Sequence, residues 1–263
     1  MTLQALSDAL VSAGEVILSF VDKRVEFSYK KSVKDIVTEA DKAAEDFLID
    51  TLTKIDDIAI LAEESHADYL IGSEPCWIID PLDGTTNFYA GLSIYAVSVA
   101  HYDGSKVDYA GCYLPVSKDI YLAVRGEGAT KNGEPIAVNS ENDPEQAVIA
   151  TGFADITQDY HRHTLTVFNE LIFKTRAIRR LGSAVTDILF VADGTFAFFY
   201  EAGLAPWDVA AASLIAEEAG AVVSDFRGGD SYITDKTVIV SNRKLYSFIK
   251  ETINRNFETS GGK

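Results

Sequence analysis

The 263-residue chain has only two cysteines, Cys76 and Cys112. That is too few for a disulfide framework or a thiolate zinc site. Both stand in apolar runs, which predicts buried thiols and a reducing, cytoplasmic compartment. No apolar run approaches the roughly 18 residues of a membrane span. The first twenty residues, MTLQALSDALVSAGEVILSF, lack a basic n-region and a continuous apolar h-region, so no secretory signal peptide is expected. Positive charge is scarce: 23 Lys and Arg face 40 Asp and Glu, for a net charge of −17. Nothing supplies the basic face that direct nucleic-acid binding needs. Internal repeats, low-complexity tracts and long linkers are also missing.

What is present is a globular composition. At 47% hydrophobic residues, a chain of this length can build one large domain or two small ones around a real core. Most of the surplus acid serves solubility.

Leu3, Leu6, Leu10, Ala13, Ile17 and Phe20 recur at helical spacing and predict an amphipathic first helix. A short strand over 25–29 and a polar loop over 30–35 follow. Ala44, Phe47, Leu48 and Leu52 mark one face of a second helix. Residues 58–62 and 77–80 read as short apolar strands, with a polar loop between them that leaves His66 exposed. Tyr95, Val97 and Val99 alternate with small residues, and Asp103-Gly104 reads as a hairpin turn. Strands over 107–114 and 120–124 complete an α+β half, with 125–129 and 132–133 read as turns. From Ala147 onward, strands (148–151, 177–179, 195–200, 221–224, 238–240) alternate with helices (160–173, 183–192, 209–219, 244–254). That pattern predicts an α/β half. The expected organisation is therefore residues 1–146 and 147–263, two halves of one compact unit, with a frayed tail from 258.

The chemistry concentrates in Trp77-Ile-Ile-Asp80-Pro81-Leu82-Asp83-Gly84-Thr85-Thr86-Asn87-Phe88. A strand delivers two carboxylates three residues apart. Pro81 stiffens the turn expected between them and has no N–H. Gly84 removes a side chain where the backbone must be approached closely, and Thr85 and Thr86 can cap a helix and present N–H groups to an anion. Acids able to hold a hard cation thus stand beside donors able to hold a phosphate. A bare Asp-Gly pair would be only a turn, but two acids, Pro, Gly and two Thr in this order exceed what a turn needs.

The string DPLDGTTNF resembles the signature of the inositol monophosphatase family of Mg²⁺-dependent, lithium-sensitive phosphatases. Other segments match the family as well. DIVTEAD, ending in Asp41, resembles its D-x-V-T-x-x-D motif, although Thr38 and Asp41 alone have capping-box spacing. Glu63-Glu64-Ser65 resembles G-E-E-S, with Ala62 in place of the usual Gly; without the resemblance it reads as a solvated strand end. Residues 125–133 resemble R-G-x-G-A-x-x-N-G, a structural segment. Pro206-Trp207-Asp208 resembles W-D-x-A-A/G, where Asp208 alone would be an acid at a helix start. Gly182-Ser183-Ala184 matches a segment lying along the substrate, and by itself would be a helix cap. Glu201, otherwise a strand-end acid in solvent, matches a residue that hydrogen-bonds hydroxyls of the inositol ring.

The resemblance implies a layered αβαβα sugar-phosphatase sandwich, usually dimeric, and a metal-activated water that hydrolyses a phosphate monoester. Glu63, Asp80 and the Leu82 carbonyl would hold one Mg²⁺, Asp80, Asp83 and Asp208 a second, and a third would sit near Glu63. Asp41 and Thr85 would activate the water. The N–H groups of Gly84 and Thr85 would hold the phosphate, with Asp83, Thr86, Gly182, Ser183, Ala184 and Glu201 along the substrate. The implied substrate is a small phosphorylated polyol, foremost myo-inositol 1-phosphate. Histidinol phosphate, fructose 1,6-bisphosphate and a 3′-phosphonucleotide stay open, the last disfavoured because Thr86-Asn87 stand where nucleotide phosphatases of the family carry Lys-Glu. A non-catalytic role beside the transcription machinery is the remaining alternative.

Overall fold

Residues 2–21, 27–29, 36–154 and 160–258 are described in this computed structural model. The expected loop over 30–35 with Asp35, residues 25 and 26 of the first expected strand, and the tail beyond 258 lie outside the described residues. Helix α1 (Leu3–Leu18) buries Leu6, Leu10, Ala13 and Ile17, the stripe its spacing predicts. Strands β1 (Phe27–Tyr29) and β2 (Ile36–Thr38) pair antiparallel. Helix α2 (Glu39–Ile55) follows and buries Ala44, Leu48 and Leu52.

The first large sheet contains β3 (Ala59–Ala62), β4 (Cys76–Asp83), β5 (Ala96–Tyr102), β6 (Val107–Leu114), β7 (Asp119–Val124), β8 (Gly128–Lys131) and β9 (Glu134–Pro135), side by side in chain order. Only β3 and β4 run parallel; the other neighbours are antiparallel. A short helix, α3 (Thr85–Tyr89), interrupts the run after β4. Two expectations are corrected here. The stretch 125–133 is not only turns, because β8 lies between its Gly-rich corners. The Asp80–Asp83 stretch is not a turn after a strand. β4 continues to Asp83, and its pairing with β5 shifts between Asp80, opposite Ser98, and Asp83, opposite Ala96. Three steps on β4 match two on β5, so one residue is extra. Such a bulge tolerates Pro81, which has no ladder hydrogen bond to give.

The second sheet is built from β10 (Val148–Thr151), β11 (Ala177–Arg179), β12 (Phe198–Ala202), β13 (Val222–Ser224) and β14 (Thr237–Ser241), in the order β11-β10-β12-β14-β13. β10 is parallel to β11 and β12, and β14 is antiparallel to its neighbours. Helices α4 (Tyr160–Leu171), α5 (Ala184–Ala192), α6 (Pro206–Glu218) and α7 (Tyr246–Glu258) connect or follow these strands.

The period of two along each strand sorts side chains into separate cores. Trp77 and Ile79 of β4 pack with α1 and α2, whereas Cys76 and Ile78 face the opposite way, towards α5 and α6. In the second sheet Phe199 joins that same middle core, while Phe198 and Tyr200 pack with Val167 of α4 and Ile249 of α7. Helices and sheets therefore stack as α1/α2, first sheet, α5/α6, second sheet, α4/α7. Helix α6 is sandwiched between sheets, and every residue from Val209 to Ala216 is buried. A helix apolar on all sides has no other stable place, and Ala210–Ala212 let it lie close to both neighbours. Its far end is clamped to the first sheet. Glu218 accepts the N–H groups of Gly126 and Gly128, each at 2.8 Å, and Glu217 pairs with Arg125 at 3.0 Å.

Candidate active site

The bulged end of β4 meets the starts of α5 and α6 at one cavity of about 150 Å³. Asp83 and Asp208 line it, and Asp80, Asp83 and Asp208 each offer a carboxylate oxygen within 4.8 Å of the others. Asp80 is 1% exposed, and its Oδ1 accepts the Leu82 N–H at 3.0 Å. That contact closes the bulge and fixes the carboxylate against the backbone. Asp83 is held from the other half of the chain. Its Oδ2 accepts the Ser183 hydroxyl and the Val185 N–H, the latter at 2.8 Å. Ser183 is at the same time the N-cap of α5, so Asp83 sits where a helix start favours negative charge. Asp208 lies in the first turn of α6 and accepts the Ala205 N–H at 2.7 Å.

Burial pushes the Asp83 carboxyl up to about 6, with the charge of Glu63 adding to it and the Ser183 and Val185 hydrogen bonds opposing. The Asp208 carboxyl is raised well above the ordinary range, first by burial, then by Glu63 and Asp83. Crowded acids that resist ionising are what a divalent cation relieves, because it inverts the local sign of the field. The donor set fits such an ion: three hard carboxylates, with neither thiol nor imidazole in the cluster. Glu63 begins the loop after β3, and its N–H donates to the Ile79 carbonyl. That places it beside Asp80, as the parallel pairing predicts. The tight cluster consists of the three aspartates, and Glu63 contributes its charge from alongside.

Beside the cluster, Asp41 does two jobs. Its Oδ2 accepts the Thr38 N–H at 2.8 Å and the Thr38 hydroxyl, which makes the capping box of α2. Its Oδ1 accepts the Thr85 hydroxyl at 2.7 Å. The same hydroxyl oxygen lies 3.1 Å from the Leu82 carbonyl. Gly84, not a threonine, occupies the N-cap of α3, at φ 96°. A side chain there would be strained, and its Cβ would press on the Ile94 carbonyl at 3.1 Å. Thr85 and Thr86 are therefore the first helical residues rather than caps, and Thr86 is exposed.

The cavity's other wall carries Gly182, Ser183, Ala184 and Glu201. Glu201 lies within β12 and is 5% exposed, so it is not a strand-end acid in solvent. Burial, then neighbouring Asp187, pushes its carboxyl up to about 8. It fits only because residue 152 has no side chain: a Cβ on Gly152 would fall 2.0 Å from Glu201 Oε2. Sequence reasoning missed Gly152, Arg180 and Asp187, which line the same cavity. It also missed Asn87, whose Nδ2 donates to the Ile94 and Leu181 carbonyls at 2.7 and 2.8 Å and ties the β4 motif to the Gly182 segment. Asp187 did leave a signal, as the one charge in the otherwise apolar helix AVTDILFVA.

A five-layered αβαβα sandwich with an oxygen-only carboxylate cluster where its halves meet is the architecture of the sugar phosphatases. The chain belongs to the inositol monophosphatase family, which matches it over residues 2–261. It is 37% identical over 254 residues to a Pseudomonas aeruginosa protein named Nus factor SuhB, covering 92% of each chain. It is 36% identical over 256 residues to the inositol monophosphatase of Dictyostelium discoideum, covering 95% of this chain and 94% of that one. Among solved structures it resembles the extragenic suppressor protein suhB of Bartonella henselae, at TM-score 0.89 and 30% identity, over 96% and 98% of the two chains. It also resembles an IMPase of Thermotoga maritima, at TM-score 0.88 and 32% identity, over 98% of each. No helix among the described residues is long and apolar enough to cross a membrane.

Proposed function

We propose that the protein is a Mg²⁺-dependent phosphoric monoester hydrolase that acts on a small phosphorylated polyol, foremost myo-inositol 1-phosphate. The observation that carries this reading is the convergence of Asp80, Asp83 and Asp208 within 4.8 Å, at a cavity whose opposite wall bears Glu201. Glu63, Asp80, the Leu82 carbonyl, Asp83 and Asp208 are the residues to hold two or three Mg²⁺. Bound there, the ions would neutralise the phosphoryl oxygens and lower the pKa of a water.

The chain's own groups do the rest. The Thr85 proton is engaged by Asp41 at 2.7 Å, which leaves the hydroxyl oxygen to accept a hydrogen bond from the attacking water. Asp41 is the acceptor for the proton passed along this pair. The N–H groups of Gly84 and Thr85 are the phosphate donors we assign. Glu201 reads a hydroxyl of the leaving alcohol. Such positioning and charge neutralisation account for most catalysis of phosphoryl transfer. We place the enzyme in the cytoplasm as a homodimer, with residues 1–146 carrying most metal ligands and 147–263 completing the site.

The name Nus factor SuhB on bacterial relatives at 36–38% identity favours a second reading, a protein-binding role beside transcription, compatible with the first. A solved relative titled IMPase/NADP phosphatase, 26% identical at TM-score 0.84, adds a dinucleotide to the candidate esters. The test is Mg²⁺-dependent phosphate release from inositol 1-phosphate, histidinol phosphate, fructose 1,6-bisphosphate, a 3′-phosphonucleotide and NADP. Preference for the inositol ester supports the reading. Release from none of them, with Mg²⁺ present, would leave only the binding role.

A further inference from the structure

Helix α2 carries two carboxylates in the stripe it buries. Asp41 and Glu45 are 0% and 2% exposed, among Ala40, Ala44, Leu48 and Leu52. Four residues apart, they lie on one face of the helix, about one turn from each other. A glutamate is almost never buried unless something pairs with it, and two like charges at this spacing weaken a helix. Asp41 has its reason in Thr38 and Thr85. Glu45 finds its partner outside the helix: Oε2 accepts the Glu64 N–H at 2.8 Å, 19 residues along the chain.

That N–H belongs to the peptide unit between Glu63 and Glu64. The peptide unit before Glu63 is held as well, because the Glu63 N–H donates to the Ile79 carbonyl of β4 at 3.3 Å. Both planes that flank the Glu63 Cα are therefore tied down, one by the first sheet and one by α2. Two fixed peptide planes set φ and ψ of the residue between them, and with them the direction of its Cα–Cβ bond. Glu63 stands one residue past the end of β3, where the strand gives way to a loop. Its charge nonetheless reaches Asp83 and Asp208, so the heading of this one side chain matters to the whole cluster.

We propose that Glu45 is a positioning residue of the metal site: by holding the Glu64 N–H it aims the Glu63 carboxylate at the cluster of Asp80, Asp83 and Asp208. This rests on the reading of Glu63 as a metal ligand and deepens it. Groups that orient a ligand from behind typically change metal affinity by about 10–100-fold when removed. Helix α2 then serves both sides of the reaction. Asp41 holds the Thr85 hydroxyl at 2.7 Å, and Glu45, about 6 Å further along the axis, holds the chain at Glu63. Rigid over a single turn, the helix keeps the water-orienting hydroxyl and the ligand at a fixed spacing.

The test is calorimetric titration of Mg²⁺ into the metal-free, full-length protein, with melting curves of the same samples. The variants are Glu45→Gln, Glu45→Asp and Glu45→Ala. Glutamine keeps an oxygen at the same reach, so Glu45→Gln should bind Mg²⁺ within a few-fold of wild type. Aspartate keeps the charge but is one methylene short, so Glu45→Asp should lose affinity by about 10–100-fold, as should Glu45→Ala. A merely structural Glu45 would lower Tm in the Asp and Ala variants and leave Mg²⁺ affinity where it was, which would overturn the proposal. A folding failure confined to Glu45→Ala leaves the comparison of Glu45→Asp with Glu45→Gln intact. Glu63→Gln supplies a second check. If Glu45 acts through Glu63, adding Glu45→Asp to Glu63→Gln should weaken Mg²⁺ binding little further, because changes along one chain of contacts do not add. Losses that multiply in full would overturn the proposal. A wild type that takes up no Mg²⁺ would overturn the metal reading itself, whereas uptake that no Glu45 variant alters would overturn this inference alone.

Discussion

Replacing Thr85 by alanine tests the pair on which the proposed water activation depends. The Thr85 hydroxyl lies 2.7 Å from Asp41 Oδ1, and Asp41 is 0% exposed. Among the described residues the hydroxyl meets Asp41 and the Leu82 carbonyl and Thr85 is not in the cavity lining with Glu201, so its loss should act on turnover and not on substrate binding. General-base contributions span ~10²–10⁴-fold. Asp41 stays in place and can still order a water, so kcat should fall towards the lower end of that range while KM changes little. There is a structural cost as well. A hydrogen bond to a buried charged group contributes roughly 1.5–3 kcal/mol, and each kcal/mol moves Tm by about 2–4 °C in a chain of this size. Thr85→Ala should therefore melt several degrees lower, while Thr85→Ser, which restores the hydroxyl, should recover both kcat and Tm. The assay is phosphate release at saturating substrate in Mg²⁺, with melting curves alongside. A Thr85→Ala enzyme with wild-type kcat, or one impaired only in KM, would refute the assignment.

Asp83→Asn should abolish turnover yet leave the metal-free protein at least as stable as wild type, because it removes one of several mutually repelling acids; a large drop in its Tm would count against the cluster as a metal site. Mg²⁺ should raise the Tm of the wild type by mass action, and excess chelator should remove both that shift and the activity. Burial pushes Glu201 up to about 8 from the ordinary 4.5, so between those values the folded protein keeps a proton that the unfolded chain has lost. Stability of the metal-free protein should therefore fall as pH rises through that window and level off above it. Glu201→Gln should flatten the slope, and an unchanged slope would place the titration elsewhere. Lithium should inhibit turnover, following the family resemblance, by occupying the Asp80, Asp83 and Asp208 cluster. Full activity at high lithium would separate this protein from the lithium-sensitive members.

Local chemistry was legible where the sequence compresses it. Asp80, Asp83, Thr85 and Gly84 fall within six residues, and the capping spacing of Thr38 and Asp41 is present in the structure alongside the contact to Thr85. The alternation of Tyr95 to Ala100 and the Asp103-Gly104 hairpin were equally plain. What could not be read was partnership across the chain. Ser183 reads as a helix cap, and it is one, but its hydroxyl also holds Asp83 from 100 residues away, a pairing no spacing reveals. Strand β8 hid behind Gly126, Gly128 and Gly133, whose turn chemistry outweighs its four residues. The bulge in β4 reads as a turn in the sequence because Pro81 argues against a strand unless one residue of the ladder is already out of register. Gly152 carries no chemical signal at all: its part in the site is the space it leaves for Glu201.

The clamp at the far end of α6 makes that helix a gauge of fixed length. Asp208 stands in its first turn, and Glu217 and Glu218, held by Arg125 and by the N–H groups of Gly126 and Gly128, stand at its last. With the last turn held against the first sheet and Asp208 set beside Asp80 and Asp83, adding or deleting one residue between them cannot be absorbed by sliding. It would turn Asp208 by about 100° around the helix axis relative to Glu218, away from Asp80 and Asp83. The exposed loop after Glu64 can lengthen at little cost. The residues between Asp208 and Glu217 can vary in identity, wherever apolar character and fit between the sheets are kept, but not in number.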